Sequence, residues 1–120
     1  IYIDSFHESG HVKKIFYHYY KLLSKNGFIF VDDICWLPYA KSSYRESSGM
    51  YDANYKVFEK LLEIKFNNRE NLNIDFSFND SGTAKITKIS EAGIKEPKKI
   101  KKSFLLKNWF LNIYKIFINK

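Results

Sequence analysis

Asp4 follows the short apolar run Ile1-Tyr2-Ile3, and the pair Asp32-Asp33 follows a second run, Gly27-Phe28-Ile29-Phe30-Val31, 28 residues further on. One stretch of helical periodicity, Val12 to Ser24, separates them. Strand, helix and strand in that order form a β-α-β unit, whose two strands run parallel through a right-handed crossover. Both sets of carboxylates then lie at the carboxyl end of neighbouring strands, where open α/β sheets bind ligands. Three clustered carboxylates supply the oxygen ligands that a hard divalent cation prefers, so Asp4, Asp32 and Asp33 are candidate metal ligands. The alternative is three solvated acids that end their strands.

A second pattern, His7-Glu8-Ser9-Gly10-His11, has the spacing of a zinc-peptidase helix. That chemistry needs both histidines on one face in the middle of a helix. Here the first strand ends at Asp4 and Ser9-Gly10 is a helix-start signal, so the motif straddles a junction. His18 lies seven residues past His11, about 10 Å along a helix, too far to share one ion. Cys35 is the single cysteine, which excludes an internal disulfide and points to a reducing compartment.

The remaining elements follow from periodicity. Val12, Ile15, Phe16, Tyr19, Leu22 and Leu23 recur at helical spacing, with Asn26-Gly27 as the expected C-cap. The uninterrupted run Phe28 to Val31 reads as a strand covered on both faces. Residues 34–52 form a long loop rich in aromatic and hydroxyl side chains, and Asp52 is the expected cap of a helix from Ala53 to Phe66. On that helix Val57, Phe58, Leu61, Leu62 and Ile64 or Lys65 face inward. Leu72, Ile74, Phe76 and Phe78 alternate with polar residues, Asn79-Asp80-Ser81-Gly82 is a turn, and Thr83 to Ile89 returns as the second arm of a hairpin. The fold class is therefore α/β, in the order β-α-β-loop-α-β-β, with one antiparallel strand in an otherwise parallel sheet.

Charge is unevenly placed. Residues 1–94 hold twelve basic and twelve acidic side chains, while residues 95–120 hold eight lysines against Glu96, so the whole excess of +7 belongs to the tail. The neutral body is therefore not a basic nucleic-acid binder.

The strand ends carry a family resemblance. Ile3-Asp4-Ser5-Phe6-His7 is similar to the Ile-Asp-Gly-x-His segment of bacterial small-molecule methyltransferases. Leu22-Leu23-Ser24-Lys25-Asn26-Gly27-Phe28-Ile29-Phe30-Val31-Asp32-Asp33 is similar to their Leu-Leu-x-x-Gly-Gly-x-Ile-x-x-Asp-Asp segment, and Ile34-Cys35-Trp36 resembles the next residues in catechol-type O-methyltransferases. Residues 1–90 thus resemble the C-terminal half of the Rossmann-like fold of class I S-adenosylmethionine-dependent methyltransferases. The resemblance implies a sheet in the order 4-5-7-6, with strand 7 antiparallel and residues 1–5, 27–32, 71–79 and 83–89 as strands four to seven.

The resemblance further implies methyl transfer from S-adenosylmethionine to an oxygen, or less readily a nitrogen, of a small polar acceptor. Asp4, Asp32 and Asp33 would hold Mg²⁺, and His7 would act as general base, a role suited to its ordinary pKa. Asp4, Ser5 and Phe6 would lie against the cofactor. Trp36 and Tyr39, with Tyr44, Arg45 and Tyr51, would line the acceptor pocket or form a flap over the surface. Two departures stand out: Ser5 replaces the usual glycine, and the Gly-rich cofactor loop of the family has no counterpart in these residues, so the chain by itself is expected to bind the cofactor poorly.

Residues 91–102 read as a basic linker. Ser103 then caps a basic, aromatic amphipathic helix in which eleven of the fifteen residues Phe104 to Ile118 are apolar. It is too short to span a bilayer and too apolar to stand alone in water. It lies on an anionic membrane surface, docks on a partner or a second copy, or packs back on its own domain. The expected location is cytoplasmic, with peripheral membrane or protein contact through residues 98–120. The competing reading of the whole chain is a non-catalytic α/β half-domain tethered by that helix.

Overall fold

The computed structural model describes residues 1–4, 8–35 and 48–100, with the backbone alone for 48–51. His7, Ser5, Phe6, Trp36, Tyr39, Tyr44, Arg45, the Tyr51 side chain and the expected helix at 103–120 lie outside the described residues. The described part is an α/β domain of two helices and one four-stranded mixed sheet. The elements are β1 (Tyr2–Ile3), α1 (Ser9–Tyr20), β2 (Phe28–Asp32), α2 (Ser48–Asn67), β3 (Leu72–Ser77) and β4 (Thr83–Lys88). The strands lie in the order β1-β2-β4-β3. β1 pairs parallel with β2, and β4 pairs antiparallel with both β2 and β3.

The register explains the core. Ile3 is opposite Val31, Val31 opposite Ala84, Ile29 opposite Ile86 and Ile86 opposite Ile74. Cross-strand partners share a face, so one side of the sheet is lined throughout by small and branched apolar side chains. Val12, Phe16 and Tyr20 from α1 and Val57, Leu61 and Ile64 from α2 complete that single core. Both helices therefore cover the same face. The opposite face carries Tyr2, Phe28 and Phe30, whose rings contact one another, and Lys85 stands over the Phe28 ring. Phe28 is 43% exposed, so β2 is covered on one side and not on both.

The helix boundaries differ from those that periodicity suggests. α1 stops at Tyr20, six residues before Asn26. Lys88 takes over the next stretch of chain: Asn26 N–H donates to its carbonyl, its own N–H donates to the Gly27 carbonyl, and its ammonium donates to the Leu23 carbonyl at 2.8 Å. Groups that would have continued the helix are bonded to β4 instead. Asn26 closes the turn at φ 67, a left-handed value that asparagine tolerates. With the helix ended, Leu22 is exposed and Tyr20 replaces Tyr19 on the inner face, its hydroxyl donating to the Asn71 carbonyl.

α2 begins at Ser48 and not after Asp52, so part of the expected loop is helical. Asp52 is the fifth residue of α2, past a first turn that carries no acidic side chain, so it does not cap the helix.

The start of the basic linker is tied to the helix layer. Asn68, 2% exposed, pairs with the Lys95 backbone as one amide with another: its Nδ2 donates to the Lys95 carbonyl at 2.9 Å and its Oδ1 accepts from Lys95 N–H at 2.6 Å. Tyr17 donates to the same carbonyl, and Asn71 Nδ2 donates to the Gly93 carbonyl. Substituting Asn68 by Ala removes a buried donor and acceptor together, and the expected loss is about 2 kcal/mol. The checks are the melting temperature, faster amide exchange at Lys95, and faster tryptic cleavage after Lys95.

Candidate functional site

The parallel pairing of β1 and β2 brings Asp4 and Asp32-Asp33 to one end of the sheet. β4 arrives there antiparallel with Thr83 directly opposite Asp32, and the turn before it supplies Ser81. Asp32 is the centre of the arrangement. Its Oδ2 accepts from the Tyr2 hydroxyl, and its Oδ1 accepts from Asp33 N–H at 2.9 Å, Ser81 Oγ at 3.1 Å and Thr83 Oγ1 at 3.4 Å. Asp33 itself has a φ of 55, a left-handed bend that turns the chain out of the strand just after Asp32 and leaves its N–H to bond back.

These contacts set the electrostatics. Burial pushes the Asp32 carboxyl up, but the hydrogen bonds from Tyr2, Asp33 N–H, Ser81 and Thr83 together outweigh it and hold the group below the usual aspartate value. The Tyr2 phenol is pushed up to about 12, first by its bond to Asp32 and then by desolvation and the charges of Asp32, Asp4 and Asp33. All three carboxylates thus act on one hydroxyl. A phenol held protonated in this way is a hydrogen-bond donor and not a base or nucleophile.

The three carboxylates are not gathered as a cation site among the described residues. A carboxylate offers about four lone-pair positions, two on each oxygen; three of the four donors crowd Oδ1 of Asp32, and Oδ2 accepts from Tyr2. Among the described residues no three His, Cys, Asp or Glu side chains converge as a metal site. Asp4, Asp32 and Asp33 share an end of the sheet without surrounding a common point.

Glu8 precedes α1 in an extended conformation, so His7-Glu8-Ser9-Gly10-His11 does not lie within one helix. His11 and His18 are exposed on α1. Cys35 is buried, with its carbonyl accepting from the buried Asn54 amide at 3.0 Å.

Sequence reasoning missed Tyr2, Ser81 and Thr83. Tyr2 has the same strand parity as Asp4, which was a signal available in the sequence. Ser81 and Thr83 are 49 and 51 residues from Asp32 and become neighbours only through the antiparallel insertion of β4. Comparison of the chain with protein-family models and with curated proteins finds no match.

Proposed function

We propose that this chain carries the acceptor-side half of an S-adenosylmethionine-dependent methyltransferase acting on an oxygen of a small polar molecule. The observation that carries the reading is the strand order: an antiparallel hairpin arm, β4, inserted between β2 and β3, beside two parallel strands whose carboxyl ends bear Asp4 and Asp32-Asp33. This is the arrangement that the resemblance of residues 1–90 implies. The segments most similar to the family also fall at the carboxyl ends where an open α/β sheet binds its ligands.

In this reading the bound cofactor supplies an electrophilic methyl group, and the residues of the chain orient the acceptor. His7 takes the proton of the acceptor hydroxyl. Asp4, Ser5 and Phe6 are assigned to the cofactor, and Trp36 and Tyr39 to the acceptor. Asp32 keeps the two strand ends and the hairpin turn in register. No step is assigned to Mg²⁺, because Asp4, Asp32 and Asp33 are not gathered as a metal site among the described residues.

The test is transfer of labelled methyl from S-adenosylmethionine to a panel of catechols, phenols and sugars by the natural protein that contains these residues. The expected result is methylation at oxygen, reduced about 10²- to 10⁴-fold in His7→Ala. Absence of both cofactor binding and transfer across the panel would overturn the proposal.

A further inference from the structure

The outer face of α1 is basic throughout. Between Ser9 and Asn26 there are four lysines and no acidic residue. Lys14, Lys21 and Lys25 are exposed, and Leu22, at 69%, and Tyr19, at 39%, stand out beside them. The bonds that tie residues 90–96 to the helix layer bring the tail to this same side. Tyr17 Oη donates to the Lys95 carbonyl at 2.6 Å, and one turn earlier on α1 Lys13 pairs with Glu96 at 2.5 Å. Glu96, the one acid of residues 95–120, is thereby paired with Lys13, and Glu8 stands at the amino end of α1. Lys98 and Lys99 follow, exposed, within about 10 Å of that anchor by chain length, which is close to one Debye length. Lys101 and Lys102 come next in sequence.

We infer that the outer face of α1 and residues 95–100 form one surface that binds an anionic lipid bilayer. Charge complementarity favours a negative partner, and the apolar side chains decide which. Leu22 and Tyr19 project among the lysines, and the basic run leads directly into a stretch with eleven apolar residues in fifteen, the composition of an interfacial anchor beside a polybasic patch. A groove for single-stranded nucleic acid stacks successive bases on a series of aromatic rings, whereas on this face Tyr19 stands beside the aliphatic Leu22, the more exposed of the two. Among the described residues no helix is long and apolar enough to cross a membrane, so the contact proposed is peripheral. This inference does not depend on methyl transfer.

The experiment is co-sedimentation of the full chain with vesicles of phosphatidylcholine containing about 30% phosphatidylserine, against phosphatidylcholine alone. The comparison protein is the full chain with Lys14→Gln, Lys21→Gln and Lys25→Gln, three exposed substitutions that leave the core intact; an unchanged melting temperature checks this. Each lysine near the surface is worth about fivefold in partitioning. The expected result is therefore selective binding to the anionic vesicles that rises as salt is lowered and falls about 100-fold in the triple variant. Three results overturn the inference: no binding to either vesicle, equal binding to both, or anionic binding that the triple variant retains in full. Tighter binding of a single-stranded RNA than of the anionic vesicles at the same salt also overturns it, in favour of a nucleic-acid partner.

Discussion

Replacing Gly82 by Ala is expected to lower stability by about 3–5 kcal/mol, with a fall in melting temperature of roughly 15 °C or more. Gly82 has a φ of +80, and a Cβ built on it would stand 2.6 Å from the Cys35 nitrogen and 2.7 Å from the Cys35 Cβ. The obstacle includes main chain, which cannot rotate aside as a flexible side chain would. The left-handed conformation adds a penalty of its own for any residue with a side chain. The same close approach lets Ile34 N–H reach the Gly82 carbonyl and Cys35 N–H reach the Ser81 carbonyl at 2.8 Å. Forcing the turn away from Cys35 therefore also withdraws Ser81 from Asp32. Gly93→Ala is the control: nothing lies within 4 Å of its added Cβ and its φ is not positive, so its melting temperature should match that of the parent. A Gly82→Ala protein as stable as Gly93→Ala would show that the turn and the segment after β2 are not in contact.

Asp32→Ala is the second large effect. It removes the acceptor of three hydroxyls and one backbone N–H at once. Two of those hydroxyls are exposed and regain water, so the expected loss is about 2 kcal/mol and not the sum of four bonds. Asp32→Asn keeps the shape and loses the charge, and should cost about half as much. The pH dependence separates the charge from the shape. Because the folded-state pKa of Asp32 is lowered, its contribution is full above the unfolded value of about 3.9 and is lost as pH falls through the folded value. The stability gap between the parent and Asp32→Asn should thus be constant from about pH 5 to 8 and close below about pH 4. At the alkaline end the sign reverses: Tyr2, raised to about 12, contributes below the ordinary phenol value of about 10 and loses that contribution as pH climbs through 12. Urea titrations across this range measure both. Millimolar Mg²⁺ should leave the melting temperature unchanged. A rise that disappears in Asp32→Asn would return Asp32 to the role of metal ligand.

Gly82 and Asp32 belong to one device, seen from its two ends. β1 is only two residues long and is the end strand of the described sheet, so its pairing with β2 has few backbone bonds to rest on. The Tyr2–Asp32 bond ties that edge to β2, and Ser81 and Thr83 tie β2 to β4. A residue that a functional reading places at the ligand-binding end of the sheet is also what holds that end together.

Much of the architecture is local and was legible in the chain. Helical spacing around Val12 and Phe16, the apolar run at Ile29 and Val31, and strict alternation from Leu72 to Phe76 each report a period set by a few neighbouring residues. The Asn79-Asp80-Ser81-Gly82 turn is likewise a local signal. Together they define an α/β domain with a mixed sheet, and the count of charges places the basic excess in the tail. What the tertiary structure decided depends on partners far along the chain. α1 ends at Tyr20 because Lys88, distant in sequence, offers Leu23 and Asn26 better-placed hydrogen-bond partners than another turn of helix would. Among the described residues Phe28 is exposed and Phe30 half-buried because both helices cross the opposite face, a choice that the periodicity of β2 does not contain. From the sequence Asp32 is legible as a carboxylate that ends a strand. Its oxygens were assigned to Tyr2, Ser81 and Thr83 only when an antiparallel strand entered beside two parallel ones, since a hydrogen bond depends on distance in space and a sequence records distance along the chain.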